Sequence, residues 1–332
     1  MPEGHSVHRI ARQFSRNFVG RQVAASSPQG RFAEGAAVLN GRVLEKAQAV
    51  GKQMFLEFEN DLWLRVHLGL YGAWDFAGEV LADATIAAAN GRMGQTNQRG
   101  TVVADEIVHD ADGENSLASI GAPRKSRVHV RMSEQTSGLA DSDEWPPPVV
   151  GQVRLRILTE TTCADLRGPT ACVLQTPEEM LATAARLGPD PLVGDVNEGE
   201  ERFVRTVAKK STPIALLLMD QSVVSGIGNV YRAEMLFRAQ LNPYTPGREV
   251  REEIARDLWR DWVRLLTVGV EVGQMMTMDD LDPEQYRAAM AHRDDRHWVY
   301  HRAGLPCRVC GTEIALDEIG ARKLYWCPSC QA

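Results

Sequence analysis

The spacing Cys307-x2-Cys310-x16-Cys327-x2-Cys330 constrains this chain more than any other feature, because it ties the last twenty-six residues around a single point. Each CxxC turn brings two thiols to one side, and the sixteen intervening residues can fold back as a hairpin. Four thiolates in a tetrahedron are what Zn²⁺ prefers, so Cys307, Cys310, Cys327 and Cys330 are expected to hold one structural zinc ion. Two disulfides or a redox dithiol would use the same spacing. No basic segment followed by an apolar core opens the chain, and the longest apolar run, 214–219, is too short to span a bilayer. The expectation is therefore a cytoplasmic protein without a membrane partner, in a reducing compartment that favours metal over disulfide and leaves Cys163 and Cys172 as buried thiols.

At 332 residues and 44% hydrophobic, the chain can bury a substantial core in two domains and still carry a small appendage. Val7, Ile10, Ala11, Phe14 and Phe18 follow the period of an amphipathic helix closed by Gly20. Met54, Leu56 and Phe58 then alternate with polar neighbours, Asn60-Asp61 marks a turn, and Leu62, Leu64, Val66 and Leu68 resume the alternation of a β-hairpin. Residues 153–158 read as another strand. Between them, 90–148 is acidic, rich in Gly, Ala, Ser, Asp and Asn, and ends in Trp145-Pro146-Pro147-Pro148; it reads as a flexible insertion in which 127–132 could form a strand. Beyond the linker Gly188-Pro189-Asp190-Pro191-Leu192, helical patterns occupy 200–209, 213–219, 230–239 and 249–268. The expected fold class is α+β. A β-sandwich-like domain with a leading helix covers 1–187, a helical domain 188–290 and a zinc hairpin 291–332.

A formal charge of −7 argues at first against a nucleic-acid partner. The distribution changes that reading. Residues 1–74 hold nine basic and six acidic side chains, whereas 75–148 hold six and twelve. Within 202–244, Arg202, Arg205, Lys209, Lys210, Arg232 and Arg238 stand against only Asp220 and Glu234. A solvated mixed-charge surface explains each basic segment equally well when taken alone.

Removal of Met1 ahead of proline, the usual processing before a small second residue, would leave Pro2 as a free secondary amine. Such an amine can attack an electrophilic sugar carbon and form an iminium, with Glu3 beside it to move protons. Alone, both are ordinary: a processing-compatible second residue and an acid in a first helical turn. Further along, one helix ends before Gly226-Ile227-Gly228 and another begins near Asn229, whose backbone N–H groups and amide would suit phosphate.

These landmarks, taken together, resemble the family of formamidopyrimidine-DNA glycosylase and endonuclease VIII. The likeness runs through Met1-Pro2-Glu3-Gly4, Gly51-Lys52, His67-Leu68-Gly69-Leu70-Tyr71-Gly72, Gly188-Pro189-Asp190, the segment from Asp220-Gln221 to Gly228-Asn229, and Pro306-Cys307 to Cys330-Gln331. It implies a bifunctional DNA glycosylase and AP lyase of base excision repair, with a helix-two-turn-helix in the helical domain. Pro2 would be the nucleophile and Glu3 the acid that opens the ribose. Lys52 would contact phosphate and assist β-elimination, Asn229 would grip phosphate, and Arg322 at the hairpin tip would assist δ-elimination. Leu70 and Tyr71 resemble residues that enter the duplex when a base is extruded, and Lys209 and Lys210 would add phosphate contacts. The implied partner is damaged double-stranded DNA at the nucleoid, bound by a monomer, with single-stranded or bubble DNA left open.

Departures from the pattern bear on substrate. His5 and Ser6 stand where the family often has a second acid, and 164–169 lacks the Arg-Arg-Phe cluster of purine-directed members. Together with Leu70-Tyr71-Gly72 this favours oxidised pyrimidines. The other readings are a purine-directed AP lyase, a damaged-DNA-binding protein without catalysis, and a zinc-ribbon interaction factor.

Overall fold

The computed structural model describes residues 2–81, 119–121, 145–279, 281–291 and 295–332. Contacts divide the chain into two units, the first comprising the N-terminal chain through Ala184 together with Val270–Gln274, the second Ala185–Gly269 and Met275–Ala332.

The first unit opens with helix α1 (Gly4–Asn17), followed by β1 (Ala24–Ser26), α2 (Ala33–Leu39) and the strands β2 (Leu44–Val50), β3 (Gln53–Phe58), β4 (Leu62–His67) and β5 (Ala73–Gly78). Then come β6 (Ser119–Gly121), β7 (Val153–Leu158), β8 (Thr162–Arg167), β9 (Ala171–Gln175) and helix α3 (Pro177–Ala185). Two antiparallel sheets result, with strand orders β2-β3-β4-β9 and β1-β7-β8-β5-β6. Their inner faces share one core with α1, in which Leu56, Phe58 and Leu64 of one sheet join Trp74, Phe76, Ile157 and Leu166 of the other. The expected stripe of α1 lies in that core: Phe14 packs edge-on against Trp74 at 4.8 Å and Phe76 at 5.5 Å. Each such fully buried ring contributes roughly 1.5–3 kcal/mol.

The expected hairpin is β3–β4, and Asn60 and Asp61 take the left-handed conformations its turn needs. More of α1 is buried than its apolar stripe required. Gln13 and Asn17 are buried because they grip the backbone of Leu81: Asn17 Oδ1 accepts from Leu81 N at 2.7 Å, and Gln13 Nε2 donates to its carbonyl at 3.2 Å.

One stretch of the 90–148 segment joins a sheet of the first unit. Ser119–Gly121 forms edge strand β6 on β5, with Ile120 fully buried in the core. One apolar residue among small ones carries no visible period, yet it fills a hole in the sandwich. Most of the segment, including the strand expected at 127–132, lies outside the described residues.

The second unit contains α4 (Val196–Val207), α5 (Ile214–Leu217), α6 (Asn229–Arg238), most of α7 (Glu252–Val272), α8 (Pro283–Ala291) and the hairpin β10 (Ala315–Ile319)–β11 (Arg322–Trp326). Asp195 caps α4, its carboxylate accepting from Asn197 N at 2.8 Å and Glu198 N at 2.9 Å. Aromatic pairs knit the helices: Phe203 with Trp259 at 5.9 Å and Tyr231 with Trp262 at 4.8 Å. A Cβ on Gly199 would come within 2.6 Å of the Trp259 ring, so glycine there lets α4 and α7 approach. The stretch expected as a linker is pinned instead. Gly188 N donates to Gln221 O at 2.7 Å, Ser225 N donates to Pro189 O at 3.0 Å, and Asp190 is buried. Among the described residues no helix is long and apolar enough to cross a membrane.

Candidate active site and nucleic-acid interface

In the first unit, Pro2 is buried and Glu3 is the N-cap residue of α1, with extended backbone and a fully buried side chain. Its carbonyl accepts from Ser6 N at 3.0 Å, and its carboxylate lies at the positive end of the helix dipole. His5, next in line, is also fully buried; Ser6 Oγ lies 3.2 Å from its Nε2. Burial chiefly, then Arg9, the chain's amino terminus and His8, push the His5 pKa from 6.5 to about 3, so the imidazole is neutral. Arg9 is itself buried and donates to the Val270 carbonyl at 2.5 Å, which ties α1 to the 270–274 segment of its own unit.

Lys52 sits in the two-residue turn between β2 and β3, where Gly51 takes φ +57° and Val50 pairs with Gln53. A positive φ confined to the first turn residue is the type II′ pattern, and it presents Lys52 at the end of a rigid ribbon. The β3–β4 register places His67 opposite Gln53, and burial, then Lys52 and Arg65, lower the His67 pKa. A neutral imidazole therefore faces the Lys52 charge. No motif spacing flagged His67 as a partner of Lys52; strand register alone brings it there.

Leu70 and Tyr71 form the exposed tip of the β4–β5 loop, at 38% and 56% exposure. Two glycines let that tip pack closely. Gly72 N donates to Leu68 O at 3.0 Å, and a Cβ on Gly69, at φ +65°, would fall 1.8 Å from Thr170 Oγ1. The neighbouring 164–169 stretch is held by ion pairs: Arg156 takes both Asp165 oxygens at 2.7 Å, and Arg167 Nε lies 2.6 Å from Asp75.

In the second unit, Gln221 closes the turn between α5 and α6. Its Nε2 donates to the Met219 and Ile227 carbonyls at 3.0 and 3.1 Å, and its Oε1 accepts from Gly226 N at 3.0 Å. Gly226 uses a left-handed conformation (φ +94°), whereas Gly228 is extended as the N-cap of α6. Asn229 begins that helix but its amide is engaged within the protein, donating to the Lys323 carbonyl at 2.9 Å. Arg232, fully buried one turn later, donates to the same carbonyl at 2.8 Å and to Asn229 Oδ1 at 2.5 Å. Arg232 was visible in the sequence only as one of several basic residues; its role as a tie to the hairpin is tertiary.

Lys323 adjoins Arg322, which is exposed at the hairpin tip beside the positive-φ pair Gly320-Ala321. The tip rests on α5, since a Cβ on Gly320 would meet Leu216 at 2.7 Å. Lys209 and Lys210 are exposed just ahead of α5, and the Lys210 carbonyl accepts from Arg248 N at 2.8 Å. At the other end of the hairpin the thiol sulfurs of Cys307, Cys310, Cys327 and Cys330 lie within 4.8 Å of one another. Cys307 is 3.9 Å from Cys330 and Cys310 is 3.4 Å from Cys327. A tetrahedron with Zn–S bonds of about 2.3 Å has edges of about 3.8 Å, so the donor set fits one zinc ion. Backbone N–H groups of Val309 and Cys330 point at Cys307 and Cys327 sulfurs at 3.5 Å, as thiolate ligands require. By contrast, burial raises Cys163 and Cys172 to about 12, and both stay inert thiols.

Residues 1–172 match the formamidopyrimidine-DNA glycosylase N-terminal domain, 187–280 the formamidopyrimidine-DNA glycosylase H2TH domain, and 304–332 the zinc finger found in FPG and IleRS. Endonuclease 8 1 of Mycobacterium tuberculosis is 36% identical over 333 residues, covering all of both chains. The chain belongs to the formamidopyrimidine-DNA glycosylase and endonuclease VIII family. It is a DNA glycosylase and AP lyase of base excision repair, and its four C-terminal cysteines hold a structural zinc ion. Formamidopyrimidine-DNA glycosylase of Thermus thermophilus is 38% identical over 146 residues, 44% of this chain and 54% of that protein. The fold is shared with Lactococcus lactis Fpg (MutM) in a complex with N7-benzyl-Fapy-dG DNA, at TM-score 0.66 and 18% identity over 99% of both chains.

Proposed function

We propose that this family member removes oxidised bases, pyrimidines ahead of purines, from damaged duplex DNA and then cleaves the strand through an iminium on Pro2. The reading is carried by the Pro2-Glu3 pair at the buried start of α1, in a chain related along its whole length to endonuclease 8 1. With Met1 removed, the Pro2 nitrogen attacks C1′ of an extruded deoxyribose, the C1′–base bond breaks and the base leaves with the proton that the nitrogen loses; Glu3 then protonates the ring oxygen as the C1′–O4′ bond breaks, which leaves the iminium. Extrusion costs a few kcal/mol, which Leu70 and Tyr71 offset by filling the vacated stack from the closely packed tip. Loss of a C2′ proton breaks the C3′–O bond, and loss of the C4′ proton then breaks the C5′–O bond. Lys52 serves the first elimination at the flanking phosphate and Arg322 the second. Lys209, Lys210 and the start of α6 at Asn229 contact further phosphates, and the monomer acts in the cytoplasm at the nucleoid.

Pyrimidine preference is supported by Leu70-Tyr71-Gly72 and by Arg167 being spent on Asp75 and the Val150 carbonyl. Duplexes carrying thymine glycol, dihydrouracil, 8-oxoguanine, formamidopyrimidine or an abasic site test the proposal. Faster release of the two pyrimidine lesions is expected, and faster release of 8-oxoguanine would overturn the preference.

A further inference from the structure

We propose that Asp317 is a positioning residue for the second strand cleavage, holding the zinc hairpin against Tyr244 so that Arg322 at its tip stays aimed. The proposal rests on the role assigned to Arg322. The ribbon is held near its tip by the Lys323 carbonyl and along β11 by Tyr325, which is buried with Ala233 and Phe237 of α6. These ties act on β11, and Asp317 adds one on β10 that resists a twist of the ribbon about its long axis. A single oxygen, Oδ2, accepts from Tyr244 Oη at 2.7 Å and from Trp326 Nε1 at 2.8 Å.

Tyr244 belongs to the turn after α6, where its backbone N–H donates to Asn242 Oδ1 at 3.0 Å, so it offers a fixed point on the helical body. Trp326 belongs to β11, the strand that begins with Arg322, and the two rings meet edge-on at 5.8 Å. One carboxylate thus joins both strands of the hairpin to the body. The β10–β11 register sets Asp317 opposite Leu324, two residues in from the Ile319–Arg322 pair, close enough for a twist there to swing the tip. Burial, then the bond to Asp317 and its charge, raise the Tyr244 phenol to about 12, so it remains a donor throughout the working pH range.

The test uses the full-length zinc protein on duplex DNA with a preformed abasic site, in single turnover, resolving products cut once from those cut twice. Tyr244→Phe removes one hydroxyl far in sequence from the zinc ligands, and Asp317→Ala removes the acceptor. Both are expected to slow the second cleavage roughly fivefold, with the first cleavage and one zinc per chain retained. Asp317→Asn, which keeps an acceptor, should restore part of the loss. Arg322→Ala is run in parallel and should lose the second cleavage. If Arg322→Ala loses it while Tyr244→Phe keeps the wild-type rate, the brace is refuted and the Arg322 assignment stands. If Arg322→Ala cuts twice as well as wild type, the assignment fails and the proposal falls with it.

Discussion

Acid should loosen the first helix of this enzyme through one residue, His5. Its imidazole is fully buried at the start of α1, and its pKa falls from 6.5 in the unfolded chain to about 3 in the fold, by burial first and then by Arg9, the amino terminus and His8. Between those values the unfolded chain binds the proton and the folded chain refuses it. Stability is therefore intact above the unfolded pKa and declines as pH drops through the window toward the folded one. Each unit is worth about 1.4 kcal/mol, so about 2 kcal/mol is lost from this site by roughly pH 5. His5→Gln removes the titrating group while keeping a polar side chain. It should be less stable than wild type at neutral pH, yet lose about 2 kcal/mol less on going to about pH 5. Urea unfolding read by pulsed hydrogen exchange in α1 peptides measures the difference without averaging over both units. Equal acid losses in the two proteins, or an imidazole resonance titrating near 6.5, would refute the assignment of a buried neutral His5.

Other substitutions probe the remaining parts. Glu3→Gln should slow base release by roughly 10²–10⁴-fold while cutting at a preformed abasic site falls far less, because only the first step needs ring protonation; equal losses would remove Glu3 from that step. Gly69→Ala places a Cβ 1.8 Å from Thr170 Oγ1 at a φ of +65°, and the displaced Leu70-Tyr71 tip should cost roughly tenfold or more in release from lesion duplexes, with zinc content unchanged. Cys310→Ser should release the metal and expose the hairpin amides to exchange, weakening DNA binding in filter or anisotropy assays; tight binding by the metal-free protein would contradict the zinc hairpin's role.

Much of this fold was legible because long-period signals survive in one dimension. The α1 stripe, the β3–β4 alternation and the paired CxxC turns each reflect a single neighbouring face or ion. Strands β5 and β8 were not legible, since both faces are buried and Asp75, Asp165 and Arg167 occupy interior positions made tolerable by ion pairing across the sheet. Helix limits shifted for similar reasons: α7 extends to Val272, past the expected 268. The same division holds for the sites. Pro2, Glu3, Lys52 and the cysteines are read from motifs, whereas His67 beside Lys52, Arg232 at the Lys323 carbonyl and Asp317 between two aromatics arise from pairings up to 91 residues apart.

Borohydride reduction during turnover on an abasic duplex, followed by peptide mapping of the cross-linked protein, addresses the chemistry most directly. One adduct per chain is expected, on the nitrogen of an N-terminal Pro2 from which Met1 has been removed. An adduct on Lys52 or any other lysine, or full activity from protein retaining Met1, would contradict it.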